Sequence, residues 1–96
     1  MRIHYYGRLD NLESCFTYQT FDIEGVSLLI QNSPRFGYEP ATMIIRNPAM
    51  FIKNENGYFR FVIEDFEVEV VKGIVLIEDS TKIQILKEAF SYIKSI

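Results

Sequence analysis

The chain is poor in the residues that most often carry chemistry. Among its 96 residues there is one cysteine, Cys15, one histidine, His4, and no tryptophan. A lone cysteine excludes an intrachain disulfide, and with a single histidine it leaves no Cys/His set for a zinc site. Glycine is sparse as well. Gly7, Gly25, Gly37, Gly57 and Gly73 stand alone at turn-like positions, whereas a phosphate-cradling loop needs several glycines close together. No stretch approaches the roughly 18 apolar residues of a membrane helix. The opening residues, Met1-Arg2-Ile3-His4-Tyr5-Tyr6, lack the apolar run and cleavage site of a signal peptide. These absences lead to the expectation of a cytoplasmic protein with no metal, no cofactor and no membrane partner.

Positive charge is also scarce. Ten Lys and Arg face thirteen Asp and Glu, for a net charge of -3. An overall basic field for gathering nucleic acid is therefore missing. The acids bunch at Glu64, Asp65, Glu67, Glu69, Glu78 and Asp79, with Lys72 among them. Glu67 and Glu69 share a strand parity and point out from one wet face. They lack the burial that would tune a carboxyl group for proton transfer, and their spacing is not that of a calcium loop. Mimicry of nucleic acid would need a denser negative field.

Hydrophobic residues are plentiful at 48%, and aromatics reach 15% through eight Phe and six Tyr. Such a chain can bury a core without staples, and its length fits a single domain over residues 1–96. Aromatic and β-branched residues favour strands. Ile3 to Tyr6 is strand-like. Leu12 to Ile23 reads as an interrupted strand with a bulge or break near Gln19, and Glu24-Gly25 is a turn. Val26 to Ile30 is an apolar strand dense enough to be buried on both faces. Gln31 to Pro40 is the least regular part, with Phe36 and Tyr38 inside it. Ala41 to Arg46 and Met50 to Lys53 are further strands, and Asn54-Glu55-Asn56-Gly57 is a tight turn. Phe59, Phe61 and Ile63 alternate against Tyr58, Arg60 and Val62. Phe66, Val68 and Val70 alternate against Glu67, Glu69 and Val71, which is the pattern of a sheet with one dry face. Lys72-Gly73 is a two-residue hairpin loop leading to a returning strand, Ile74 to Ile77.

The last element is a helix over about Thr81 to Ser95. Asp79, Ser80 and Thr81 are candidate N-caps, and Thr81 with Gln84 has capping-box spacing. Ile83, Ile85, Leu86, Ala89, Phe90, Tyr92, Ile93 and Ile96 fill one half of its helical wheel, an arc that fits a helix lying on a sheet. The fold class is α+β: an antiparallel β-meander of roughly five to seven strands, open or curled into a partly open barrel, covered by one C-terminal amphipathic helix.

Few residues invite a functional reading. A Cys15–His4 couple has nothing around it that marks a nucleophile, and a lone cysteine most often sits unreactive in the core. Phe36 and Tyr38 either tack their loop to the core or form a contact surface. Tyr58, Arg60 and Lys53, with Arg46 nearby, resemble the basic and aromatic equipment of a single-stranded nucleic-acid module. Val62, Val71, Val75 and Ile77 fall on positions that a monomer would make polar, which suggests a homodimer contact. The leading expectation is a non-enzymatic protein-protein interaction or regulatory module that binds another protein or itself. Its size is compatible with a phage or mobile-element gene. The alternatives are nucleic-acid binding and a small enzyme with an unrecognised site.

Overall fold

The computed structural model describes residues 2–34 and 41–96, with Ser33 and Pro34 as backbone only. Phe36 and Tyr38 lie outside the described residues. In chain order the strands are β1 (Ile3–Leu9), β2 (Phe16–Ile23), β3 (Val26–Pro34), β4 (Thr42–Arg46), β5 (Met50–Asn54), β6 (Gly57–Ile63), β7 (Glu67–Val71) and β8 (Ile74–Leu76). The helix α1 (Ser80–Lys94) follows. Every ladder is antiparallel. The strands form two sheets, a five-stranded one in the order β1-β6-β5-β3-β2 and a three-stranded one in the order β4-β7-β8. The α+β class, the antiparallel sheet and the C-terminal helix are those expected. The edge strands β2 and β8 approach one another, but no ladder joins them among the described residues.

Turn chemistry sets the hairpins. Glu24 and Gly25 both have positive φ, as do Lys72 and Gly73, so both two-residue loops are of the primed type whose twist matches the flanking strands. Gly57 is required for a different reason. A Cβ there would lie 2.2 Å from the Leu9 carbonyl oxygen, because the tip of the β5–β6 hairpin is pressed against the end of β1.

One core is shared by both sheets and the helix. Leu28, Ile30, Met50, Ile52, Phe59, Phe61 and Ile63 come from the larger sheet, and Val68, Val70 and Val75 from the smaller. Leu86, Ala89, Phe90 and Ile93 come from α1. The helix starts at Asp79, whose carboxylate accepts hydrogen bonds from the backbone N–H groups of Thr81 and Lys82. Lys82 binds it to the small sheet: its Nζ donates to the Glu67 carbonyl oxygen at 2.6 Å and lies 5.5 Å from the centre of the Phe66 ring.

Several expectations are corrected. Strand β2 begins at Phe16 and the preceding residues form a loop; its irregularity lies between Phe16 and Tyr18, not near Gln19. Cys15 is exposed in that loop, outside the core, because the chain there is turning rather than extended. Val75 and Ile77 are buried, and Ile74 and Leu76 are the exposed pair. Tyr92 and Ile96 are exposed too, so the buried arc of α1 is narrower than its apolar arc.

Candidate interaction surfaces

The outer face of the small sheet is the first candidate. Registers place Ile44, Glu69 and Leu76 in one row across its strands, with Thr42, Val71 and Ile74 in the next. Ile44 is 58% exposed, Ile74 64% and Leu76 40%. The inner face of the same strands carries Val68, Val70 and Val75, all in the core. The helix covers that inner face and leaves the outer one open. Arg46 closes one end of the patch, its Nε donating to Glu67 Oε1 at 3.1 Å. Ile74 and Leu76 on β8 flank half-buried Val71 on β7, and Ile44 on β4 lies beyond Glu69 on the same face; large aliphatic side chains at these exposures on one sheet face are the usual mark of a contact site.

The second candidate is the outer face of the large sheet. Tyr58 and Arg60 emerge there from β6, and Lys53 pairs with Tyr58 from β5. The structure thus brings together the three residues expected to act as a group. Arg46 is not with them, since it lies on the other sheet. Tyr6 joins instead. The register of β1 against β6 skips between Tyr5 and Gly7, so Tyr6 is the extra residue of a bulge, a device that re-aims a side chain. The Arg60 guanidinium lies 5.1 Å from the centre of the Tyr6 ring. Arg60 is half-buried and already stacked, so little of its face is free for a base.

The same outer face holds a small second cluster. Phe51 is only 3% exposed, although its parity points it away from the main core. Tyr18 meets it edge-on at 5.7 Å between ring centres. The Tyr18 hydroxyl donates to the Glu13 carbonyl oxygen at 3.0 Å, which holds the loop before β2 against the sheet. Burial, partly offset by that hydrogen bond, pushes the Tyr18 phenol above its ordinary pKa. Beside Phe51 lies a cavity of about 160 Å³ with Arg60 in its wall.

A larger open cleft of about 600 Å³ lies between the end of α1 and two hairpin tips, with Phe90 and Ile93 in its lining and Arg8, Lys53, Glu55 and Lys94 also contributing. These residues do not assemble a nucleophile, a base and an oxyanion-stabilising pair. Glu64 Oε1 accepts from His4 Nε2 at 2.7 Å, and both side chains are partly exposed. No group of three or more His, Cys, Asp or Glu side chains arranged to hold a metal ion occurs among the described residues. No helix among them is long and apolar enough to cross a membrane. No protein-family model, curated protein or solved structure matches the chain.

Proposed function

We propose that the protein is a non-enzymatic interaction module that works as a homodimer, two copies meeting through the outer face of the small sheet. The exposed aliphatic patch of Ile44, Ile74 and Leu76 carries this reading. A two-fold contact covers the same patch on both copies, and it is the commonest closed way to bury such a surface. Glu69 sits within the patch, flanked in register by Ile44 and Leu76, so burying it requires a cation. Arg46 is a strand cation on this face, and Arg46 of the second copy would supply the charge. An interfacial Arg–carboxylate pair fixes register as well as adding affinity.

Sedimentation equilibrium at micromolar concentration tests the proposal. The expected mass is twice 11.3 kDa. Ile74→Asp should return it to 11.3 kDa with an unchanged circular dichroism spectrum, since Ile74 is solvated in the single chain. A wild-type mass of one chain across that range would overturn the homodimer.

A further inference from the structure

The outermost strands are β1 and β2 on the large sheet and β4 and β8 on the small one. An open strand edge recruits other strands, and folded proteins guard such edges with bulges, breaks or a covering element. β2 and β8 approach one another. β1 is interrupted by the bulge at Tyr6 and by Gly7, whose φ is 98°. β4 has neither guard. Its register with β7 runs unbroken from Thr42 to Arg46, and no Pro or Gly lies within it.

Two hydrogen bonds fix which backbone groups of β4 are left over. The Lys72 N–H donates to the Ala41 carbonyl oxygen, and the Asn47 N–H donates to the Phe66 carbonyl oxygen. Hydrogen-bonded pairs alternate along an antiparallel ladder. Met43 and Ile45 therefore bond to β7, while Thr42, Ile44 and Arg46 turn their N–H and C=O groups toward the edge. No backbone partner meets those three residues there among the described residues. The side chains are as incompletely covered as the backbone. Met43 and Ile45 pack against the core from the inner face, yet both stay half-buried. Ile44 is 58% exposed. The Arg46 side chain is 75% exposed even though its Nε reaches Glu67, so the rest of its fork of donors remains open.

We propose that the β4 edge accepts an extended segment of another protein as an added antiparallel strand. Main-chain hydrogen bonds to Thr42, Ile44 and Arg46 supply the affinity, and alternate side chains supply the selectivity. β7 shows which side chains suit β4: it sets Glu67 opposite Arg46, Val68 opposite Ile45 and Val70 opposite Met43. The incoming segment has the same chemistry, with β-branched residues turned inward beside Met43 and Ile45 and a carboxylate opposite Arg46. A second β4 is the poorer occupant. It contains no acid, and a two-fold pairing centred on Ile44 would set Arg46 against Thr42. The site does not rest on the contact through the outer face, because Ile74 lies on β8, with β7 between it and β4.

Nuclear magnetic resonance on the ¹⁵N-labelled full chain tests it, with the acetylated and amidated peptide Glu-Val-Glu-Val-Val, the sequence of β7, as the probe. The peptide should shift the Thr42, Ile44 and Arg46 amides saturably and slow their hydrogen exchange. Met43 and Ile45, already bonded to β7, should change little in exchange. N-methylation of the third peptide residue removes the donor to the Ile44 carbonyl oxygen and should weaken binding by about tenfold, the scale of one lost hydrogen bond. N-methylation of the fourth, whose N–H points away from β4, should not. Lys in place of the first Glu should weaken binding severalfold, because like charges then stand opposite one another. Absence of saturable shifts at Thr42, Ile44 and Arg46, or equal binding of the two N-methylated peptides, would overturn the added strand. A Lys peptide that binds as tightly as the Glu peptide would overturn the assigned chemistry. Slow exchange at Thr42, Ile44 and Arg46 before any peptide is added would show the edge already occupied and overturn the site as well. Ile74→Asp should respond to the peptide as wild type does, so loss of the homodimer and loss of this site are separate results.

Discussion

Asn47 and Phe66 hold each other through two hydrogen bonds. The Asn47 backbone N–H donates to the Phe66 carbonyl oxygen at 2.8 Å, and the Phe66 N–H donates to Asn47 Oδ1 at 3.3 Å. Their places in the chain give this pair its weight. Asn47 lies between β4 and β5, where the chain leaves the small sheet for the large one. Phe66 lies between β6 and β7, where it returns. Both crossings are therefore fastened at one point. The Phe66 ring is fully buried beneath it.

Asn47 also has a positive φ of 46°, a conformation that Asn tolerates better than most residues with a Cβ. Three substitutions separate the two roles. Asn47→Gly keeps the backbone geometry and loses the side-chain acceptor, at an expected cost of about 1–3 kcal/mol. Asn47→Ala adds the left-handed strain and should cost about 1 kcal/mol more. Asn47→Asp keeps both features and should be nearly neutral. Urea midpoints rank the three, and an Asn47→Gly as stable as wild type would show that the acceptor contributes nothing.

The Lys72-Gly73 loop can be improved. Lys72 has a φ of 51° at the first position of a primed turn, where Asn is strongly preferred. Lys72→Asn should stabilise the protein by roughly 0.5–1 kcal/mol. The same change at Glu24 is a poorer test, because Glu24 also pairs with Lys87 at 3.2 Å. A fall in melting temperature for Lys72→Asn would contradict the turn assignment.

These two cases mark the reach of the sequence. Lys72-Gly73 is legible because a Gly-containing pair between two apolar runs has few other uses. The inward set Phe59, Phe61 and Ile63 and the buried stripe Leu86, Ala89, Phe90 and Ile93 are legible from period alone. The departure of β4 and its pairing with β7 is not, because partner choice depends on contacts distant in sequence. In Ile74 to Ile77 all four residues are apolar, so parity gives no signal, and a one-residue slip exchanges the buried and exposed sets. That slip separates Val75 and Ile77, expected outside, from Ile74 and Leu76, found outside. Met50, Phe51 and Ile52 hide the second cluster for the same reason: all three are buried, on opposite faces. Of the candidate site, Tyr58, Arg60 and Lys53 were readable as a group, and the Tyr6 bulge that completes it was not.

Cys15 offers a direct check on the loop before β2. The thiol is exposed, in a segment held to the sheet at Tyr18 and Glu13. A thiol reagent at neutral pH should label one site per chain in the native protein, and denaturant should release no further site. Labelling that requires unfolding would place Cys15 inside and displace this loop.

Alkaline pH should destabilise the fold through Tyr5 and Tyr18. Burial is the largest cause raising both phenols above the ordinary 10.0, helped at Tyr5 by Tyr92 and Glu88. A raised folded pKa means that the folded chain holds the proton more tightly than the unfolded one. The contribution is fully present below about pH 10 and is lost as pH rises through the higher folded values. Tyr5→Phe removes one of the two titrations. Its urea midpoint should therefore fall less than that of wild type between about pH 9 and pH 11. Equal falls would show that Tyr5 contributes nothing to the alkaline limb.

The helix provides the sharpest contrast in energy. Phe90 and Tyr92 are both aromatic and stand two positions apart on α1, yet Phe90 is 5% exposed and Tyr92 49%. Phe90 projects into the shared core with Leu86, Ala89 and Ile93, and its removal leaves a void that close-packed neighbours fill only in part. Phe90→Ala should cost about 3–5 kcal/mol, a large share of what holds a chain this short together. Tyr92 instead leans on Tyr5, with ring centres 4.3 Å apart and a tilt of 40°. Half of its surface already meets water. Tyr92→Ala loses one aromatic contact and part of an apolar area, about 1–2 kcal/mol. Chemical denaturation of the two variants should therefore give clearly separated midpoints, with Phe90→Ala the lower. Similar midpoints, or a Phe90→Ala loss below about 1 kcal/mol, would mean that α1 does not seat on the two sheets through this face.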